Sequence, residues 1–214
     1  MMIRRQLMTC ALGMALSMAP LGTLLAWESD VEALEQRWEE VTTQLPQDQR
    51  GDALGELAER AEWLVSAHPG EAVPLIWHGI IEASHARERG GFGALGSARS
   101  ARDSLEAAIE IDPQGGNGSA YVTLGALYDR VPGRPLGFGN SETAERMFER
   151  ALAIRPEGID VNFYYAAFLE EEGRLDEALA HAKRAVDGQA RASREVSDEA
   201  LRRDARVLLA RLSR

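Results

Sequence analysis

The chain has 214 residues, 45% apolar and 27% charged, enough for one packed domain or repeat array and too apolar for wholesale disorder. Its 34 acidic and 24 basic groups give a formal charge of −10, which repels phosphate backbones and speaks against nucleic acid or an anionic lipid surface as a partner. Cys10 is the single cysteine, so an intramolecular disulfide and a cysteine-rich zinc site are excluded.

Residues 1–26 read as an export signal. Arg4 and Arg5 precede a run from Leu7 to Trp27 that holds no charge, the order of a charged n-region and an apolar h-region. Ala26 is the expected last residue of the leader, although Leu24 at the −3 position is larger than the rule prefers. Two other readings stay open. The run reaches the ~20 residues of a spanning helix and would serve as an inner-membrane anchor, against which Pro20 and Gly22 argue. Leu7-Met8-Thr9-Cys10 superficially suggests a lipobox, but the apolar stretch follows Cys10 rather than preceding it. Each reading exports the rest, in a bacterium to the periplasm, with membrane contact only through this segment if it is uncleaved.

Beyond it the pattern predicts helix after helix, with no sustained period-2 alternation. The expected helices are 29–45, 52–68, 71–89, 97–111, 118–130, 141–154, 160–172, 174–188 and 193–212. Pro69, Pro113 and Pro156 each follow a helical stretch and end it. This divides the chain into a degenerate helical pair (27–69), repeats with inserted loops (70–190) and a capping helix (191–214). The capping helix is rich in Arg and Glu, with Leu201, Val207, Leu208, Leu209 and Leu212 as its apolar positions.

A spacing of small and large apolar residues recurs. Ala101, Leu105, Ala108, Ile109 and Pro113 are matched by Ala144, Phe148, Ala151, Leu152 and Pro156, and the first four again by Ala178, Ala182, Ala185 and Val186. Antiparallel helices approach closely only where small residues face each other, so a recurring small–large–small spacing marks helical hairpins stacked in register. Upstream of the middle unit stand Tyr121, Leu124, Gly125 and Tyr128. With Ala144, Phe148, Ala151 and Pro156 they resemble the two halves of a tetratricopeptide repeat, W-x2-L-G-x2-Y and A-x3-F-x2-A-x4-P. The resemblance covers roughly residues 50–190. The third unit keeps Gly173 but has Asn162 where the first aromatic belongs. The first offers Trp77 and Ile80, then loses the small residue and the tyrosine. The fold implied is an all-α solenoid of about four antiparallel pairs plus a C-terminal capping helix.

Two Gly-Phe-Gly segments fall between the helices of a unit, in Gly90–Gly96 and in Val131–Asn140. Stacking places both on one rim, where Phe92, Phe138 and Arg134 either pack or form the wall of a binding site. The family's geometry implies that the first helix of each unit lines the concave face, presenting Val122, Thr123 and Ala126, then Phe163, Tyr164 and Ala167. These positions hold none of the Lys, Arg or Asn with which such domains grip a C-terminal carboxylate. An apolar ligand or partner helix fits better.

Catalytic motifs are not found. There is no G-x-S-x-G elbow, and neither Gly-Phe-Gly is followed by the Lys of a P-loop. His78, Glu82 and His85 share a helix face, but His-x6-His spans about 10 Å of rise, long for one metal ion, and the three read as exposed polar residues. No catalytic residue, metal or cofactor is expected. The reading is a non-enzymatic periplasmic scaffold binding a protein or peptide on its concave face. The alternative rests on a loose similarity to the periplasmic tetratricopeptide component associated with TRAP transporters, and is a transporter accessory protein that binds a small apolar ligand.

Overall fold

The computed structural model describes residues 24–214, so most of the expected export segment, residues 1–23, lies outside the described residues. The helices are α1 (Leu24–Thr43), α2 (Gln47–Ala67), α3 (Ala72–Arg89), α4 (Ala94–Ile111), α5 (Ser119–Arg130), α6 (Ser141–Ile154), α7 (Ile159–Glu171), α8 (Leu175–Asp187) and α9 (Glu195–Leu212). No strand occurs among the described residues, and no helix there is long and apolar enough to cross a membrane. The pairs α1–α2, α3–α4, α5–α6 and α7–α8 form an antiparallel solenoid closed off by α9.

The repeat positions are the core. Ala101, Leu105, Ala108, Ala144, Phe148, Ala178, Ala182 and Ala185 are fully buried, and Ala151 is nearly so. Gly125 explains why the motif needs a glycine: a Cβ there would stand 2.6 Å from the Phe148 ring, inside any tolerable contact. Tyr121 packs partly buried beside Val122 and Val161. Leu124 is buried and Tyr128 half-buried, its hydroxyl donating to Glu106 Oε1 at 2.7 Å. Pro156 stays exposed, in the turn that follows α6. Helix α6 starts at an N-cap, Asn140, whose side chain accepts from the Thr143 backbone N–H.

In the first unit the structure corrects the expected register. The small residue is not lost: a Cβ at Gly79 would enter the Leu105 side chain, so Gly79 meets Leu105 as Gly125 meets Phe148. Trp77 lies off that register and faces α1, where Trp38 meets it edge-on at 5.8 Å. His78, Glu82 and His85 are likewise not exposed. His78 is 7% exposed and shares a 2.8 Å hydrogen bond with Ser104, while His85 lies beside Ser97. Asn162, at the aromatic position of the third unit, is fully buried and donates to the Pro156 and Gly158 carbonyls. Its Oδ1 is therefore the atom facing His181 Nδ1 at 2.8 Å, so that nitrogen donates.

Two further expectations are corrected. The segment 90–96 is not a long loop: Gly91–Gly93 form one 3₁₀ turn and α4 begins at Ala94. Helix α9 is more than a solvating cap. Leu208 is buried, whereas Val207 is 66% exposed, and α9 packs on α7 and α8 and then reaches α1. There the Ser197 backbone N–H donates to Glu39 Oε1 at 2.7 Å, and Arg194 pairs with Glu35 at 3.2 Å. The first and last helices thus meet, and the concave face is closed into a ring.

Candidate functional site

Closing the ring leaves a cavity of about 760 Å³ inside the concave face, within the range of small-molecule sites. Its walls come chiefly from five parts of the chain. Helix α5 supplies Val122, Thr123, Ala126 and Leu127, and α7 supplies Phe163 and Tyr164. Helix α3 adds Ile80 and Ser84, and α1 adds Trp38, whose indole N–H donates to Ser84 Oγ at 2.9 Å. The chain around α9 adds Arg191, Arg194 and Leu201.

Five of the six residues expected on the inner face line this cavity. The sixth, Ala167, lies instead against Ala166, Ala182 and Leu208. The two Gly-Phe-Gly segments differ. Phe92 is 80% exposed and stands at the mouth, joined there by Leu136, which is 54% exposed. Phe138 packs edge-on against Tyr128 at 5.3 Å with the Arg102 guanidinium over its ring at 4.7 Å. Arg134 is exposed in the same loop and does not line the cavity. The loop is compact because Gly139 donates to the Pro132 carbonyl and Asn140 to that of Tyr128.

One wall is polar. Asp160 is buried and bound by Arg155 at 2.6 Å and Arg191 at 3.1 Å. Burial disfavours its ionised form, but the charges of Arg191, Arg155 and Arg194 outweigh that and hold the carboxyl below its ordinary pKa. Arg191 also grips Asp198 with two guanidinium contacts of 2.6 and 2.9 Å. Arg194 lies over Trp77 at 4.5 Å and Trp38 at 5.4 Å, within reach of a cation–π attraction. Its burial, reinforced by neighbouring Arg191, lowers its pKa from the usual arginine value. Nothing in the repeat register pointed to Trp38, Arg191 or Arg194. Their place on the wall follows from closure between distant helices.

The second polar cluster, on α3, is His78, Glu82 and His85. Glu82 lies 3.9 Å from His78 Nε2 and 3.6 Å from His85 Nδ1, and its Oε2 is buried with no hydrogen-bond partner among the described residues. No group of three or more His, Cys, Asp or Glu side chains among the described residues is placed to hold a metal ion.

Comparison with known proteins agrees with this architecture. Residues 136–198 match the tetratricopeptide repeat family model. No curated protein matches the sequence significantly. Among solved structures the chain is similar to a thermophilic tetratricopeptide-repeat protein of Thermus thermophilus, with a TM-score of 0.55 and 18% identity over 87% of this chain and 94% of that one. At that identity the likeness speaks for the fold. The recurring small residues, the stacked hairpins and both matches agree on a tetratricopeptide-like helical solenoid, with residues 136–198 carrying the match to the repeat family.

Proposed function

We propose that the protein is a non-catalytic binding module, exported by its N-terminal segment to the periplasm, whose concave face holds a compact apolar ligand. Tetratricopeptide repeats are in general interaction scaffolds that use this face. The observation that carries the reading is the meeting of α1 and α9, which turns an open groove into a cavity of about 760 Å³ walled by Ile80, Val122, Leu127 and Phe163. A partner helix, 10–12 Å across with its side chains, asks for an open groove rather than such a chamber. A solute-handling accessory protein of a transporter would need a chamber of this kind.

The test is a thermal shift with a neutral apolar probe, 1-decanol, on the wild type and on the double variant Ala126→Phe, Val122→Phe, which sets two rings into the cavity. At a hundredfold excess over Kd a ligand stabilises the folded state by about 2.7 kcal/mol. A shift in the wild type that is lost in the variant is expected. Equal shifts in both would place the probe elsewhere and refute the reading.

A second reading, docking of a protein at the rim, is favoured by the exposure of two large apolar side chains of the cavity lining, Phe92 and Leu136. Photo-crosslinking in the native host separates the two. Capture of a protein from Phe92 but not from Phe138 supports rim docking, and capture from neither removes it.

A further inference from the structure

The cavity is unusual in its charge. The chain as a whole holds 34 acidic and 24 basic groups, yet the charged side chains on the cavity wall are Arg87, Arg130, Arg191 and Arg194 against Asp160 and Asp204. Most of these arginines are already engaged. Arg87 pairs with Glu88, Arg130 with Asp129 and Glu171, and Arg191 with Asp160 and Asp198.

Arg194 differs. It is 9% exposed, and its side-chain hydrogen bond among the described residues runs from Nε to Glu35 Oε1. A guanidinium carries five N–H donors, so four, on Nη1 and Nη2, are left. Neither Nη is among the fully buried atoms that lack a partner, so both keep some accessible surface, and Arg194 lines the cavity. Burial holds the pKa of this guanidinium below its usual value, the mark of a cation whose lost hydration is incompletely replaced. A buried charge with spare donors is stabilised most by an opposite charge that accepts two of them side by side, as a carboxylate does. Elsewhere the walls include Ile80, Val122, Leu127 and Phe163, which offer dispersion and apolar burial.

We infer that the cavity takes a small anionic amphiphile, its single carboxylate on the Nη groups of Arg194 and its hydrocarbon tail along Val122 and Leu127 toward Phe92. This rests on the cavity reading proposed above and adds the chemical class of the occupant. The charge is complementary, the volume suits a medium-chain molecule, and the exposed apolar rim receives the tail end.

Titration of the whole protein with decanoate, methyl decanoate and 1-decanol, followed by calorimetry and by the fluorescence of Trp38 and Trp77 beneath Arg194, tests it. A charge-assisted pair of hydrogen bonds predicts decanoate binding about tenfold or more tighter than either neutral analogue. Arg194→Gln should bring the three within about twofold of one another, with decanol unaffected. Arg194→Lys, which keeps the charge and loses the fork, should fall between them. The wild-type ratio decides the matter even if a variant does not fold. Equal affinity of the three ligands would overturn the carboxylate assignment while leaving the cavity reading intact. Binding of none would overturn both. Binding of a peptide through its free C-terminal carboxylate, with decanoate inert, would overturn the small amphiphile in favour of a protein tail.

Discussion

The first and middle units share one hairpin plan and spend it differently. In the middle unit Gly125 receives Phe148, Leu124 is buried beside it, Tyr128 reaches Glu106, and Phe138 folds back onto Tyr128. In the first unit Gly79 receives Leu105, but the positions of Leu124 and Tyr128 are taken by His78 and Glu82, and Phe92 has no tyrosine to fold onto. Phe92 therefore stays out at the mouth of the cavity. The same tripeptide thus packs or projects according to the residue one helix away. Packing closes one unit, and its lack leaves the other open beside the concave face.

The comparison breaks first, and with the largest effect, at the two large residues that fill the glycine notches. Phe148→Ala should cost about 3–5 kcal/mol and Leu105→Ala about 2–5 kcal/mol in chemical denaturation, both sites being fully buried. If Leu105→Ala were silent, the equivalence of the two units would fail. Next come the notches themselves. Gly125→Val and Gly79→Val drive a side chain into Phe148 and Leu105 and should each cost about 1–3 kcal/mol through overpacking. A Gly79→Val protein that melts like wild type would restore the register based on Trp77. At the Tyr128 edge contact, Phe138→Ser should cost about 1 kcal/mol, whereas Phe92→Ser should stay within about 0.5 kcal/mol.

The smallest effect expected is on pH dependence. Burial lowers the pKa of His78 below 6.5 despite the opposing charges of Glu82 and Glu62, and burial together with Arg184 lowers that of His181. A depressed folded pKa means that the unfolded chain binds the proton more readily. The contribution to stability is present above the unfolded value and is lost as pH falls through the folded one. Melting temperature should therefore drop below pH 6.5, and His78→Asn should flatten part of that drop. A curve of unchanged slope in the variant would show that His78 does not titrate on unfolding.

The fold was legible because its determinants are local and periodic. Ala144, Phe148 and Ala151 announce a helix face, and their recurrence announces stacking. Half of the site followed from the same logic, since Val122, Ala126, Phe163 and Tyr164 lie on the inner faces of regular repeats. The other half had no local trace. Trp38 and Arg194 are brought together across more than 150 positions of chain, and only tertiary closure puts them on one wall. In the first unit a tryptophan looked like the motif aromatic, while the glycine two residues on set the register, because steric room for Leu105 outranks aromatic identity.

The contact of α1 with α9 has one more consequence. An open solenoid tolerates an added repeat at either end, since each unit touches only its neighbours. Here the two ends grip each other through Glu35, Glu39 and the segment Arg194–Ser197, so one more hairpin would push them apart. The number of units in this array is fixed by its own circumference.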